Sequence, residues 1–175
     1  FSRYKANGGN TFIAISHDTE QYFRKAARHF DVQLLPNAID YEKFYYNQEH
    51  QTSTNLRLIN VGSLNTNKNQ VFLIDVAKIL ADKSVDFDLK LVGGGQDYSM
   101  LKQRIETLGL QKSVSLCGNV DNVEDYLHES DVYVHSSLSE ALGLTIIEAM
   151  AAGLPVVTLD GRGNRDLIKQ GKNGY

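Results

Sequence analysis

Two periodicities alternate along this chain. Short apolar, β-branched runs, each the length of one strand, are separated by stretches in which apolar residues recur every three or four positions. The series begins with LRLINV (Leu56–Val61), helix Gln70–Ala81, strand FDLKLV (Phe87–Val92), helix Tyr98–Leu108 and strand VSLC (Val114–Cys117). A short helix around Val123–His128, strand VYVH (Val132–His135), helix Leu144–Ala152 and strand PVVT (Pro155–Thr158) complete it. Five strands, each followed by a helix or its start, predict an α/β domain with a Rossmann-like, doubly wound parallel sheet.

Residues before this series do not join it. TFIAIS (Thr11–Ser16) predicts a strand and DTEQYFRKAARHF (Asp18–Phe30) an amphipathic helix with Asp18 or Thr19 near its cap. Tyr41 to Asn55 is polar, tyrosine-rich and without apolar periodicity, which predicts a linker. The expected organisation is therefore the last strand and helix of a preceding domain over residues 1–40, a linker over 41–55, and a sheet domain over 56–175 cut at its C-terminal end.

Composition narrows the function. With 175 residues, 42% of them hydrophobic, the chain can bury one core, or one domain plus part of a second. A net charge of −3 without clustered Lys or Arg argues against a nucleic-acid footprint. Cys117 stands alone, so it forms no internal disulfide and is expected to be a small buried hydrophobe in a reducing compartment. No apolar run approaches the roughly 18 residues that span a bilayer, and FSRYKANGGN lacks the apolar stretch of a signal peptide.

In a Rossmann-like winding, strand order 3-2-1-4-5 sets the first strand beside the fourth, and ligands bind in the crevice between their C-terminal ends. The loops there are GSLNTNKN (Gly62–Asn69) and SSLSEALG (Ser136–Gly143). The second leads into LTIIEAMAA (Leu144–Ala152), a helix that is apolar nearly all round and so must be buried. Its polar residues, Thr145 and Glu148, share one face at i, i+3. A buried helix start, with free N–H groups and a positive dipole end, suits an anion. Gly143 lets a phosphate approach the backbone, and Glu148 lies about 6 Å further along the axis, within reach of ribose hydroxyls. Glu140 would sit on the other side of such a phosphate. A simpler alternative stays open: a Glu in the first two turns gains about 0.3–1 kcal/mol from the dipole and can pair with a basic neighbour.

Other candidates are weaker. GGGQDY (Gly93–Tyr98) has Tyr98 where a dinucleotide fingerprint needs its third glycine and follows the second strand, so a tight turn is expected. The five histidines, His17, His29, His50, His128 and His135, have no metal-binding spacing with one another or with Cys117. His29 and His128 are expected to be solvated helix residues, His17 part of a helix start, and His135 a packed residue near the crevice.

The string SEALGLTIIEAMAAGLPVV (Ser139–Val157) resembles the Glu-x7-Glu signature of retaining glycosyltransferases of family 4, whose GT-B fold pairs two Rossmann-like domains across a cleft. PNAID with Phe44, VGSLNTNKN, LVGGGQDYSML and the final NGY resemble further motifs of that family, in order from Pro36 to Tyr175. The resemblance implies the C-terminal, donor-binding half of such an enzyme. Glu148 would bind the donor's ribose; Glu140 would contact the donor sugar or help with transition-state charge. Backbone N–H groups of Leu142, Gly143 and Leu144, with the Thr145 hydroxyl, would hold the diphosphate beside the Gly62–Ser63 turn. Lys68 would clamp the same diphosphate. The base would lie near Asn119 and Val120.

One departure concerns charge. The family usually has Arg where this chain has Ser63, and Arg162 or Arg165, in DGRGNRD, could supply the missing cation. The GRGNRDLI segment resembles a branch found in bacterial surface-polysaccharide assembly. The implied substrates are a nucleotide sugar, UDP most commonly and GDP as the main alternative, and a glycan or lipid-linked acceptor held by the missing N-terminal domain. No metal or other cofactor is expected, because Lys68 and the helix end would do a cation's work. The isolated chain is expected to bind donor without transferring sugar, in the cytoplasm or at the cytoplasmic face of the membrane. Front-face substitution and a covalent intermediate both stay open. Two rival functions are a non-catalytic, glycosyltransferase-like nucleotide-binding subunit and a nucleotide-sugar epimerase of the same architecture.

Overall fold

The computed structural model describes residues 11–28, 30–47 and 54–175 of the chain. It contains two parallel sheets. The small one pairs β1 (Thr11–Ala14) with β2 (Asp31–Leu34), joined by helix α1 (His17–Ala26). After the short helix α2 (Tyr41–Phe44) comes the main series: β3 (Leu56–Val61), α3 (Gln70–Asp82), β4 (Phe87–Val92), α4 (Tyr98–Thr107) and β5 (Val114–Gly118). Helix α5 (Val123–His128), β6 (Val132–His135), α6 (Leu144–Ala151), β7 (Val156–Thr158) and α7 (Asn164–Leu167) follow. The main sheet runs β5-β4-β3-β6-β7, all parallel, which is the doubly wound order expected from the sequence.

Alternate side chains of the central strands feed two cores. Leu58, Leu89, Leu91 and Val114 pack with Leu73, Ile74 and Ala77 of α3 and Leu101 and Ile105 of α4. On the other face Ile59, Val61, Tyr133 and Val156 pack with Leu127 of α5 and Ile146 and Ala149 of α6. Burying strands on both faces is what lets a parallel sheet exist in water.

The segment expected to be a linker is partly structured. Asp40 caps α2 by accepting from the Lys43 N–H, and Phe44 is buried in the second core. Residues 41–44 are too few to show periodicity, so one buried ring carries the information. Residues 48–53 of the expected linker, together with His29 and His50, lie outside the described residues. His128 is not a solvated helix residue: its ring stacks on Tyr46 at 4.6 Å and its Nε2 lies 3.0 Å from the Phe44 carbonyl.

The two units meet through exchanged helix caps. Ser16, not Asp18 or Thr19, caps α1 by accepting from Thr19 N–H at 3.2 Å. The first N–H groups of α1, at His17 and Asp18, donate to Asp166 Oδ2 at 2.6 and 3.3 Å. In return, Asp18 Oδ2 accepts from the Gly163 N–H, at the start of α7, at 3.2 Å. Each helix start thus has its unsatisfied donors met by a carboxylate of the other unit.

Candidate functional site

The crevice opens where the central ladder ends early. β3 pairs with β4 along its whole length, yet with β6 only at Leu58 and Ile59. Beyond that point side chains bridge the two strands. Asn60 Nδ2 donates to the Val134 carbonyl at 2.8 Å, and the Tyr133 hydroxyl lies 3.2 Å from the Val61 carbonyl oxygen. The divergence leaves room at the carboxyl ends of β3 and β6 for the two loops named from sequence.

Those loops are tied to each other. Leu138 N–H donates to the Asn67 carbonyl at 2.9 Å, the Ser136 hydroxyl to the Lys68 carbonyl at 2.7 Å, and Asn67 Nδ2 to the Ser139 carbonyl at 2.8 Å. Glu140 N–H is fixed from the other side by the Arg162 carbonyl at 2.8 Å. The turn after β4 closes against the same region. A Cβ at Gly93, whose φ is +134°, would stand 2.1 Å from the Gly62 carbonyl oxygen, so GGGQ is a turn packed on backbone, as expected.

Glu140 and Lys68, 72 residues apart in sequence, form a direct ion pair, and only 11% of the Glu140 side chain is exposed. His135 Nε2 lies 3.2 Å from Glu140 Oε1, near enough for charge yet outside hydrogen-bond geometry, which leaves that buried nitrogen unsatisfied. Burial would raise the Glu140 carboxyl, but His135 and Lys68 outweigh it and hold the group at about 2. Glu140 is therefore a fixed negative charge at neutral pH, able to stabilise positive charge and unable to donate a proton.

Helix α6 starts at Gly143, with φ +56° and ψ 57°, a left-handed conformation that favours glycine. The backbone N–H groups of Leu142, Gly143, Leu144 and Thr145 make no hydrogen bond among the described residues. Leu142 and Gly143 are buried but Leu144 is 37% exposed, so the helix is not buried all round as its apolar sequence predicts. Its free donors at a half-buried start still form an anion site. Thr145 Oγ1, beside them, is 2.8 Å from the buried Tyr133 hydroxyl. Burial pushes that phenol far up, so it stays a neutral hydroxyl. One turn on, Glu148 is half-buried with no hydrogen bond donated to its carboxylate among the described residues, and burial raises its pKa while Lys43 opposes the rise. Two carboxylates eight residues apart are thus driven in opposite directions, one held ionised by partners and one left waiting for them.

Gly62 is covered by the Lys68 stem, and a Cβ there would meet Lys68 Cδ and Cε at 3.8 Å. Ser63 is exposed and contributes no cation. Asn119 is also exposed, its carboxamide against Gly94, and Val120 packs on the second core, so both stay at the β5 end of the same rim. Of the two arginines, Arg165 is engaged by Asp160, with Nε 2.6 Å from Oδ1. Arg162 is exposed and lines a pocket of about 290 Å³ with Asp18, Thr19, Tyr22, Ser139, Glu140 and Ala141. That pocket includes Glu140, the partner of Lys68, but neither Lys68 itself nor Leu142 to Thr145. Cys117 is half-buried, and burial pushes its thiol up. Among the described residues there is no metal-ligating cluster and no helix long and apolar enough to cross a membrane.

His135 and Tyr133 are what sequence reasoning missed as site residues. The available signal was two polar rings at i, i+2 on an otherwise apolar strand ending at the crevice.

Residues 43–175 match the family described as glycosyl transferases group 1. The chain belongs to that family. It is 35% identical over 118 residues to EpsD of Bacillus subtilis, a match covering 67% of this chain and 31% of that protein. To the phosphatidylinositol N-acetylglucosaminyltransferase GPI3 subunit of Saccharomyces cerevisiae it is 30% identical over 135 residues, 73% of this chain and 30% of the other. The chain thus spans about a third of the length of these relatives. Among solved structures it is similar to Anabaena HepE in complex with UDP and glucose, with a TM-score of 0.82 at 25% identity, covering 97% of this chain and 50% of that one. The pneumococcal O-GlcNAc transferase GtfA in complex with UDP and GlcNAc gives a TM-score of 0.80 at 25% identity, covering 94% and 33%. The fold is that of GT-B glycosyltransferases, and glycosyltransferases that use nucleotide sugars are the chain's homologues.

Proposed function

We propose that this chain is the C-terminal, donor-binding half of a retaining family 4 glycosyltransferase that moves a hexose from a UDP-sugar to a glycan or lipid-linked acceptor in polysaccharide or glycoconjugate assembly. The observation that carries this reading is the opposition between Glu140, ionised against Lys68, and the unoccupied donors of Leu142 to Thr145 with Glu148 one turn beyond. Diphosphate oxygens meet the free N–H groups, the Thr145 hydroxyl and Lys68, beside the Gly62–Ser63 turn. Ribose hydroxyls donate to Glu148, and the base lies toward Asn119 and Val120. Glu140 stabilises the positive charge that develops on the sugar as the leaving diphosphate departs. Lys68 and the helix start neutralise that leaving group, so the reaction needs no metal. β1, α1 and β2 belong to the acceptor-binding half, and the enzyme works in the cytoplasm, at the inner face of the membrane when its acceptor is a lipid. UDP is favoured as carrier because it occupies the HepE and GtfA structures.

Exposed Ser63 favours a second reading, a glycosyltransferase-like subunit that binds nucleotide without catalysis. Calorimetric and thermal-shift titration with UDP, GDP, ADP and NAD tests the first. A ligand at about 100 times its Kd adds about 2.7 kcal/mol of stability. Selective UDP binding lost in both Lys68→Ala and Glu148→Ala is the expected result. Binding that survives both substitutions, or no binding, overturns the donor-site reading.

A further inference from the structure

The site has too little positive charge for the ligand proposed for it. A sugar-linked diphosphate brings about two negative charges. Glu140 is already ionised within the site, Ser63 supplies nothing, Arg165 is engaged elsewhere, and Arg162 lines a pocket with Glu140 that includes none of Leu142 to Thr145. Lys68 is the one cation beside the crevice among the described residues assigned to the diphosphate, and it is occupied by Glu140. An ammonium shared with a diphosphate no longer neutralises that carboxylate, and a half-buried carboxylate losing its partner is strongly disfavoured.

The buried imidazole of His135 faces this shortfall. Its Nε2 is 3.2 Å from Glu140 Oε1 and has no hydrogen-bond partner, although His135 is only 2% exposed. Its Nδ1 is 3.4 Å from the Tyr133 hydroxyl. With the Tyr133 hydrogen on the Val61 carbonyl, the phenol oxygen is free to accept from Nδ1–H, while Glu140 Oε1 faces Nε2 as a counter-charge at 3.2 Å, outside hydrogen-bond geometry as the ring now lies. A ring carrying two hydrogens would thus offer a donor to the phenol oxygen and place its positive charge against Glu140, whereas a neutral ring does only one of these. The ionisable groups around the ring are Glu140 and Lys68 on the two loops, Tyr133 on its own strand, and Glu148 on α6, which acts on Tyr133 through charge.

We propose that His135 is a positioning residue that takes up a proton when the donor diphosphate binds, holding Glu140 ionised and in place as Lys68 turns to the phosphates. The proton comes from solvent and the chain of contacts runs Thr145, Tyr133, His135, Glu140, Lys68, so phosphate capture at one end sets the carboxylate at the other. Histidine is the side chain suited to this, since its charge changes near neutral pH. The proposal rests on the donor-site reading.

The test uses UDP-glucose, whose diphosphate stays fully ionised across the working range. Binding to this chain is measured by calorimetry at about pH 8, where an ordinary histidine is neutral, in buffers of different ionisation enthalpy. Net proton uptake on binding is expected, with affinity falling as pH rises. In His135→Gln the uptake disappears and the affinity becomes flat with pH, while the melting temperature reports folding separately. Glu140→Gln removes the uptake as well. Binding without proton uptake by the unaltered chain would sink this proposal alone. Uptake that persists in His135→Gln would overturn it too, because another group, Glu140 first, would then be taking the proton. No binding of UDP-glucose at any pH would remove the donor-site reading and this proposal with it.

Discussion

Glu140 and Glu148 lie on the same connection, yet the fold treats them as opposites. Glu140 sits on a loop pinned by Asn67, Ser136, Lys68 and Arg162 and is surrounded by positive or protonatable groups. Glu148 sits on α6 with burial and no hydrogen-bonding partner for its carboxylate. The lesson is that a charged pocket separates what must be rigid before the ligand arrives from what is satisfied only by the ligand. The first contributes to stability and the second detracts from it, and ligand binding reverses only the second.

Substitutions can break this contrast. The largest effect is expected from Lys68→Ala, which should weaken UDP binding about 100-fold, or about 2–3 kcal/mol for a lost charge-assisted contact, and should also lower the melting temperature. Calorimetry and a thermal scan read both; unchanged binding would detach Lys68 from the ligand. Glu140→Gln should cost about 1–3 kcal/mol of stability at neutral pH, allowing for partial exposure. Because the folded carboxyl is held at about 2 against an ordinary 4.5, its contribution is complete above pH 4.5 and fades as pH falls toward 2. Urea unfolding of the two proteins should therefore converge at low pH. A difference that persists unchanged at pH 2 would mean packing, not charge, sets the loss.

Glu148→Gln sharpens the contrast through opposite signs. Its raised pKa means that the folded chain disfavours the charged form, so stability grows as pH falls through the folded value. The neutral amide should leave stability at pH 7 equal or slightly higher, while UDP affinity drops about tenfold, or about 1.4 kcal/mol. Loss of stability without loss of affinity would reverse the assignment. The smallest effect belongs to Arg162→Ala and Arg165→Ala, each expected to leave UDP affinity within about twofold. A tenfold loss at either would bring that arginine back as the cation missing at Ser63.

Much of this arrangement was legible in the sequence, for physical reasons. Parallel strands buried on both faces have apolar runs too regular to mistake, and strand order then directed attention to residues 62–69 and 136–143. Glu140 and Glu148 are conspicuous because charge is costly beside such apolar segments, whereas Lys68, in the polar loop GSLNTNKN, stood out only through the family resemblance. His135 was harder to place: a histidine ending a buried strand looks alike whether it packs or serves a site, and only the fold brings Glu140 to its Nε2. Helix α2 was missed because one buried Phe44 cannot make a periodic pattern. The cap of α1 is Ser16, two residues before Asp18, and the Asp18 carboxylate instead accepts from Gly163, 145 residues away, a partner to which local propensity has no access.

That exchange between Asp18 and Asp166 has a practical consequence for anyone recombining this protein. Domain borders are usually cut where the sequence is polar and without apolar periodicity, which here would be the stretch after Phe44. A chimaera joined there would take α1 from one parent and α7 from another, and would orphan the helix-start donors of both wherever the two acids are not matched. The unit to be moved intact is therefore defined by a carboxylate handshake across the seam, and α1 and α7 should travel together.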